Sequence, residues 1–469
     1  MPRQQIHFRP IAALCHSGGM FTPIFDRSLY DASTLQPSYW EASAPRHEFP
    51  VLQGDRSCDV AIIGGGYTGL AAAYHLAKDH GIEAVVLEAG PIAWGASSRN
   101  GGFLSFPPSK LAIGEMISRY GLDETRRFFA DLRAGADYPQ AIADEEGFDI
   151  QLQGAGTLDA AHNPQAMEHL SASAEAHARV GIKTTLYSQA EFTKIGHGGT
   201  EQFGGMYVDG GGGLHPLRYA MGLAQAASRR GAELFASSPV DRWERQGALH
   251  RLVTPGGTVT ARRVVFATNG WTPDGLHKSI DARVWPALSN IVVTRPLTDA
   301  ELAAAPYVTT TPVSNTRKLL FYYRLLPDKR FLFGARGDTS GSPQAAAAMR
   351  TWMVRRIGEL FPAWKGVETD YFWRGLVALS LKLAPSVGRV PDDPSVYYGF
   401  AYHGSGVIAG PLAGRYIAKA IGTSANGDVD VPAPLANLPP RFPLASLRRP
   451  ALAMVYLGYG IKEWIGDRR

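Results

Sequence analysis

A chain of 469 residues is too long for one ordinary hydrophobic core and fits two sequential or interleaved domains. With 45% hydrophobic and 19% charged residues it has the balance of a globular enzyme, which excludes a largely disordered or coiled-coil protein. Its formal charge of +5, from 47 basic and 42 acidic side chains, favours anionic ligands only modestly, and no basic block makes a nucleic-acid footprint.

Cys15 and Cys58 are the only cysteines, too few for a disulfide framework or a metal cluster, and they point to a reducing cytoplasm. The apolar run Ile11 to Leu14 is too short for a signal-peptide core. No interior segment reaches the roughly 18 apolar residues that a membrane span needs. Residues 1–55 are punctuated by Pro and Ser and contain Ser38-Tyr39-Trp40, which reads as an arm lying over the body.

From Asp59 the pattern becomes a buried strand to Ile63, a glycine turn from Gly64 to Gly69, an amphipathic helix from Leu70 to Asp79 and a second strand from Ala84 to Glu88. That is one βαβ unit, the start of a dinucleotide domain spanning 56–110. Residues 111–205 read as mainly helical, with helices at Glu115 to Tyr120, Glu124 to Ala143 and Pro164 to Val180, and belong partly to a second domain. The first domain is expected to resume over 206–282, where Gly211 to Pro216 leads into an Ala-rich helix capped by His215 and Val264 to Thr268 forms a buried strand. Alternating segments at Asn290 to Thr294, Leu319 to Leu325 and Arg330 to Ala335 predict an antiparallel substrate-domain sheet over 283–380. Residues 381–425 return to the first domain, with a glycine turn at His403 to Gly406 and a helix predicted from Pro411 to Ile421; residues 426–469 form a tail.

Gly64-Gly65-Gly66-Tyr67-Thr68-Gly69 fits G-x-G-x-x-G in the one context that makes it specific, directly after a strand and before a helix. The glycines allow the tight turn and the approach of a pyrophosphate, which the helix N-terminus then stabilises with free N–H groups and its dipole. Glu88 ends the second strand where an acid accepts hydrogen bonds from a ribose, and an acid there disfavours a 2′-phosphate.

The fingerprint alone does not separate FAD from NAD. Val86-Leu-Glu88-Ala-Gly90 with Trp94-Gly-Ala-Ser-Ser-Arg-Asn-Gly-Gly102, then Gly211-Gly-Gly-Leu-His-Pro216, Ala267-Thr-Asn-Gly-Trp271 and Gly399-Phe-Ala-Tyr-His-Gly-Ser-Gly-Val407, resembles the D-amino acid oxidase and glycine/sarcosine oxidase family. The Ser-Tyr-Trp arm and Tyr322-Tyr-Arg-Leu-Leu-Pro-Asp328 are most similar to its gamma-glutamylputrescine oxidoreductase branch. The resemblance implies an α/β chain in which a Rossmann-type FAD domain is interleaved with an α+β, antiparallel-sheet substrate domain. It implies FAD contacts at Gly64, Gly66, Tyr67, Thr68, Gly69, Glu88, Ala89, Gly95, Ala96, Ser97, Arg99, Asn100, Gly101, Gly102, Val240, Ala267, Thr268, Gly270, Gly404, Ser405, Gly406 and Val407.

The activity implied is oxidation of the C–N bond of a small amine or amino acid, with hydride transfer to the flavin and hydrolysis of the resulting imine. Such chemistry asks the protein to orient the amine and tune the cofactor, and needs no dedicated acid–base pair. Tyr322 and Arg324 share a strand face by alternation, Trp373 and Lys382 flank a late substrate-domain loop, and His403 falls beside the flavin-facing turn; these five are the candidates for substrate chemistry. Two departures from the family matter. Arg99 stands where His-linked relatives carry their histidine, which implies noncovalent FAD. The apolar Phe331-Leu-Phe333 stands where sarcosine-oxidase-like members place a lysine, so either oxygen or another electron carrier remains open as acceptor. The basic, apolar tail from Arg441 to Ile465 is readable as a peripheral membrane contact, serving a dehydrogenase that feeds quinone, or as a terminal helix packed on the body, weakened by Gly458 and Gly460. A macromolecule-modifying flavoenzyme would call for a strong basic face or an attached domain, and neither is visible.

Overall fold

The computed structural model describes residues 23–107, 109–423 and 427–466, with side chains of the last helix described to residue 461. Cys15 and the run 11–14 lie outside the described residues, as do the side chains of Lys462, Trp464 and Ile465. Val60, Ala61, Ile62 and Ile63 are apolar and buried, so the strand Arg56–Ile63 can be covered on both faces and takes the centre of a sheet. It pairs in parallel with Ala84–Leu87 and with Gly257–Phe266. Glu233–Phe235 extends one side, and Asp393–Phe400 followed by the antiparallel Ser386–Val390 extends the other. The strands Arg242–Gln246 and Leu249–Thr254 fold off Gly257–Phe266 as an antiparallel flap.

The helices Tyr67–His80, Pro216–Arg229 and Gly406–Thr423 share one apolar core with Val60, Ile62 and Val86. His215 caps Pro216–Arg229 as expected, its Nδ1 accepting from the Arg218 amide at 3.3 Å. The helix predicted from Pro411 begins earlier, at Gly406, and carries Pro411 inside it. The proline forfeits one intrahelical hydrogen bond. Burial of Val407, Ile408, Ala409 and Gly410 compensates, because the helix lies so close to Tyr67–His80 that a Cβ on Gly414 would fall 2.4 Å from the Thr68 carbonyl oxygen.

A second eight-stranded sheet runs in the order Thr369–Leu379, Trp285–Thr294, Phe331–Arg336, Phe321–Leu325, Val313–Asn315, Gly156–Ala160, Gly205–Asp209, Thr184–Tyr187. It is antiparallel except where Val313–Asn315 meets Gly156–Ala160 in parallel. Gly205–Asp209 belongs here, so the chain returns to the first domain only after this strand, a few residues later than the expected boundary at 206. Phe331 and Phe333 point away from the first domain, into a core with Tyr323, Trp364 and the helix Pro343–Leu360. The opposite face of the sheet looks back toward the glycine turn.

The tail forms the helix Arg448–Gly466, which continues through Gly458 and Gly460. Leu452 anchors it among Phe25, Leu29, Leu288 and Leu376, and the buried Arg448 pairs with Asp274 and donates to the Val284 carbonyl at 2.9 Å. Met454, Leu457 and Ile461 remain exposed. Among the described residues no helix is long and apolar enough to cross a membrane.

Candidate functional site

One cavity of about 520 Å³ runs from the glycine turn of the first domain to the inner face of the second sheet. At the turn, Gly64 has φ +107°, and a Cβ there would stand 2.8 Å from the Ala267 carbonyl oxygen. A Cβ on Gly66 would meet Ser97 Oγ at 2.9 Å. Gly69 faces inward instead, where a Cβ would strike the Gly64 carbonyl at 2.0 Å; it serves helix–strand packing rather than the cavity wall. Glu88 Oε2 accepts from the Gly65 amide at 2.7 Å, and Ser97 Oγ accepts from the Tyr67 amide at 2.9 Å. Burial pushes the Glu88 carboxyl above the usual carboxylate range, against the pull of the Gly65, Gly90 and Ala89 amides.

The wall contains Gly64, Gly66, Tyr67, Thr68, Glu88, Ala89, Gly95, Ala96, Ser97, Arg99, Asn100, Gly101, Val240, Ala267, Thr268, Gly404, Ser405, Gly406 and Val407. Gly102 and Gly270 are set back from it. Gly102 has φ +74° and backs onto the Leu214 carbonyl, and Gly270 packs on Leu376. Sequence reasoning missed Trp94, Asn269, Trp271 and Tyr402, which line the same end. All four sit inside the quoted motifs, Tyr402 beside His403.

The loop 94–102 is held rigidly. Asn100 Nδ2 donates to the carbonyls of Ala96 and Ser97 at 3.0 and 3.1 Å, and its Oδ1 accepts from Gly102 at 2.7 Å. Two buried tryptophans clamp consecutive carbonyls: Trp373 Nε1 donates to Arg99 O, and Trp40 Nε1 to Asn100 O, each at 2.9 Å. The rings meet edge to face at 6.1 Å, which gives the Ser-Tyr-Trp arm its structural purpose. Arg99 itself is buried, donates through Nε to Trp94 O at 2.9 Å, and lays its guanidinium over Trp94 at 4.1 Å. Its Nη2 has no acceptor. A buried cationic donor left unpaired on a cavity wall calls for an acceptor from a ligand.

Of the five substrate-chemistry candidates, Tyr322 and His403 line the cavity. Tyr322 lies over Gly334, where a Cβ would fall 2.0 Å from its ring, and its hydroxyl meets Ser289 Oγ at 2.8 Å. His403 is buried at φ +51°, with Nε2 3.4 Å from Ser380 Oγ and Nδ1 without a partner. Burial, with Lys110 and Arg336 nearby, pushes its imidazole down to about 3 and keeps it neutral.

Arg324, Trp373 and Lys382 lie outside the wall. Arg324 shares Tyr322's strand face, but the short antiparallel ribbon of Phe103–Leu104 with Gly212–Gly213 screens it; it donates to Leu214 O at 2.6 Å and Gln153 Oε1 at 3.0 Å. Lys382 Nζ donates to the carbonyls of Pro385 and Ala436 at 3.0 and 2.5 Å. In their place the wall carries Lys110, Asp159 and Arg336, none with an ion-pair partner among the described residues. Alternation on Gly156–Ala160, which puts Thr157 and Asp159 on one face, was the signal available for Asp159.

The family described as FAD dependent oxidoreductase matches residues 59–420. Gamma-glutamylputrescine oxidoreductase of Escherichia coli (strain K12) is 32% identical over 434 residues, covering 92% of this chain and 98% of that protein. Glycine oxidase of Geobacillus kaustophilus (strain HTA426) is 24% identical and covers 77% and 92%. The crystal structure of glycine oxidase from Geobacillus kaustophilus superposes with a TM-score of 0.64 at 23% identity, covering 77% of this chain and 94% of that one. The L-proline dehydrogenase structure from P. horikoshii also gives 0.64, at 19% identity, covering 81% and 96%.

Proposed function

Because the chain belongs to the FAD-dependent oxidoreductase family with the D-amino acid oxidase fold, we propose that it oxidises the C–N bond of a gamma-glutamylputrescine-like amine. The observation that carries the reading is one continuous cavity joining the glycine turn to the face of the second sheet, which lets a dinucleotide and a small amine share one space.

The residues present fit FAD. Gly64 and Gly66 clear the path of a pyrophosphate at a helix N-terminus, Glu88 stands at the ribose position, and the unpaired Arg99 Nη2 awaits an acceptor. Gly404 to Val407, leading into Gly406–Thr423, offer a second helix N-terminus at the far end. An arginine rather than a histidine or cysteine at position 99 supports noncovalent attachment. Bound flavin would supply the acceptor for the hydride, which carries both electrons away from the carbon beside the amine nitrogen. The protein's part is positional. Tyr322 and Ser289 form a polar floor, and His403, kept neutral, can accept a hydrogen bond from an amine N–H without holding its proton.

Anaerobic mixing of the yellow holoenzyme with a panel of amines and amino acids tests this. Bleaching by gamma-glutamylputrescine supports the proposal, and admission of air then separates an oxidase from a dehydrogenase. If no amine bleaches the flavin, the reading fails. The exposed Met454, Leu457 and Ile461 favour a second reading, in which the tail helix rests on a membrane and the acceptor is a quinone. Flotation with anionic vesicles, lost in a triple Glu variant at those positions, is its expected signature.

A further inference from the structure

Two buried or half-buried carboxylates near the second sheet are answered by cations. Asp338 pairs with Arg374 at 3.1 Å, Glu201 with Arg317 at 2.9 Å and with Arg356 at 2.6 Å. Asp159 differs. It lies on the cavity wall in the middle of the strand Gly156–Ala160, and no hydrogen bond or ion pair reaches its carboxylate from the described residues. Burial alone pushes its carboxyl up to about 6, and no cation stands near enough to counter that. The unpaired cations Lys110 and Arg336 belong to the neighbourhood of His403 instead. An ionised carboxylate screened from bulk water without a partner costs free energy, which an incoming cation offsets.

The sheet register gives its location relative to the reaction centre. Asp159 pairs with Ser314, and Ser314 pairs with Tyr322, so Asp159 sits two strands from Tyr322, about 10 Å at ordinary strand spacing. Thr157 and Ser314 beside it line the cavity too and add neutral hydrogen-bonding groups. This end therefore suits a small, strongly solvated cation at the far end of a flexible chain.

We infer that Asp159 receives a second, unreacting ammonium group of the substrate, so that the enzyme selects amines carrying a distant positive charge over monoamines of the same reach. The inference rests on the amine-oxidising reading and deepens it. Two sources share this chemistry: the far amine of a free diamine, and the α-ammonium of a γ-glutamyl group.

The test uses the holoenzyme with two matched pairs, 1,4-diaminobutane against butylamine and γ-glutamylputrescine against its analogue lacking the α-amino group. Binding is followed by calorimetry, and reaction by anaerobic bleaching. In wild type the charged member of one pair binds more tightly. Asp159→Asn weakens that member about 10- to 100-fold and leaves its uncharged partner within about 2-fold, while Asp159→Glu keeps the preference. The pair that loses its discrimination identifies the source. Equal weakening of both members of each pair, or no discrimination in wild type, overturns the inference. The readouts separate the two claims: Asp159-dependent binding without bleaching sinks the oxidase reading alone, and bleaching without Asp159-dependence sinks this inference alone.

Discussion

At the glycine-rich end of the cavity the protein answers several of its own polar groups and leaves one donor, Arg99 Nη2, open: Glu88 takes the Gly65 amide, Ser97 the Tyr67 amide and Asn100 the Gly102 amide. At the second-sheet end, Asp159, Lys110 and Arg336 stand unpaired among the described residues. The first region is a preformed mould for a ligand that stays; the second keeps its charges open for ligands that come and go. A resident cofactor rewards rigidity, because any disorder in its cradle must be removed at each binding event. A substrate wall rewards complementary charge, which discriminates among small molecules that hydrophobic contact alone separates poorly.

The sharpest way to break the contrast is to fill the mould. Gly66→Val places a branched side chain where even a Cβ meets Ser97 Oγ at 2.9 Å, and is expected to give colourless apoprotein, read from the flavin-to-protein absorbance ratio. A folded Gly66→Val protein that retains yellow colour would contradict the cradle assignment. Arg99→Met keeps the bulk over Trp94 and removes the unpaired donor. Flavin affinity should fall about 10- to 100-fold, the value of a charge-assisted hydrogen bond, with Arg99→Lys in between. An unchanged dissociation constant in Arg99→Met would assign the guanidinium to packing alone.

Trp373→Phe tests whether rigidity is held from behind the wall. It removes the donor to Arg99 O and leaves a buried carbonyl unsatisfied, at a cost of about 1–3 kcal/mol and a thermal midpoint lower by a few degrees. Flavin reduction should change less than stability does. The smallest effect concerns pH. With His403 held neutral down to about 3, its charge contributes no inflection to the reduction rate between about pH 5 and 8; a rise with pH there belongs to the substrate amine losing its proton and to the Asp159 carboxyl, pushed up to about 6. A rate inflection near the ordinary histidine value, absent in His403→Gln, would show that the imidazole titrates after all.

Most of the cradle was legible because it is built from consecutive residues. Strand, glycine turn, helix, strand and acid occupy Asp59 to Glu88, and each step is governed by local backbone geometry. The substrate wall was not legible in the same way. Alternation correctly put Tyr322 and Arg324 on one strand face, yet the two-stranded ribbon from 103–104 and 212–213 comes between Arg324 and the cavity. Trp373 and Lys382 looked like loop residues available to a ligand, and their donors are taken by the carbonyls of Arg99, Pro385 and Ala436.

By itself the sequence determined the dinucleotide fold, the family and most of the residues lining the glycine-rich end of the cavity, because those signals are short-range. Only the tertiary structure decided which charges face the cavity. Lys110, Asp159 and Arg336 come from three separate segments of the chain, and whether a charge is paired or open depends on neighbours that sequence spacing does not specify.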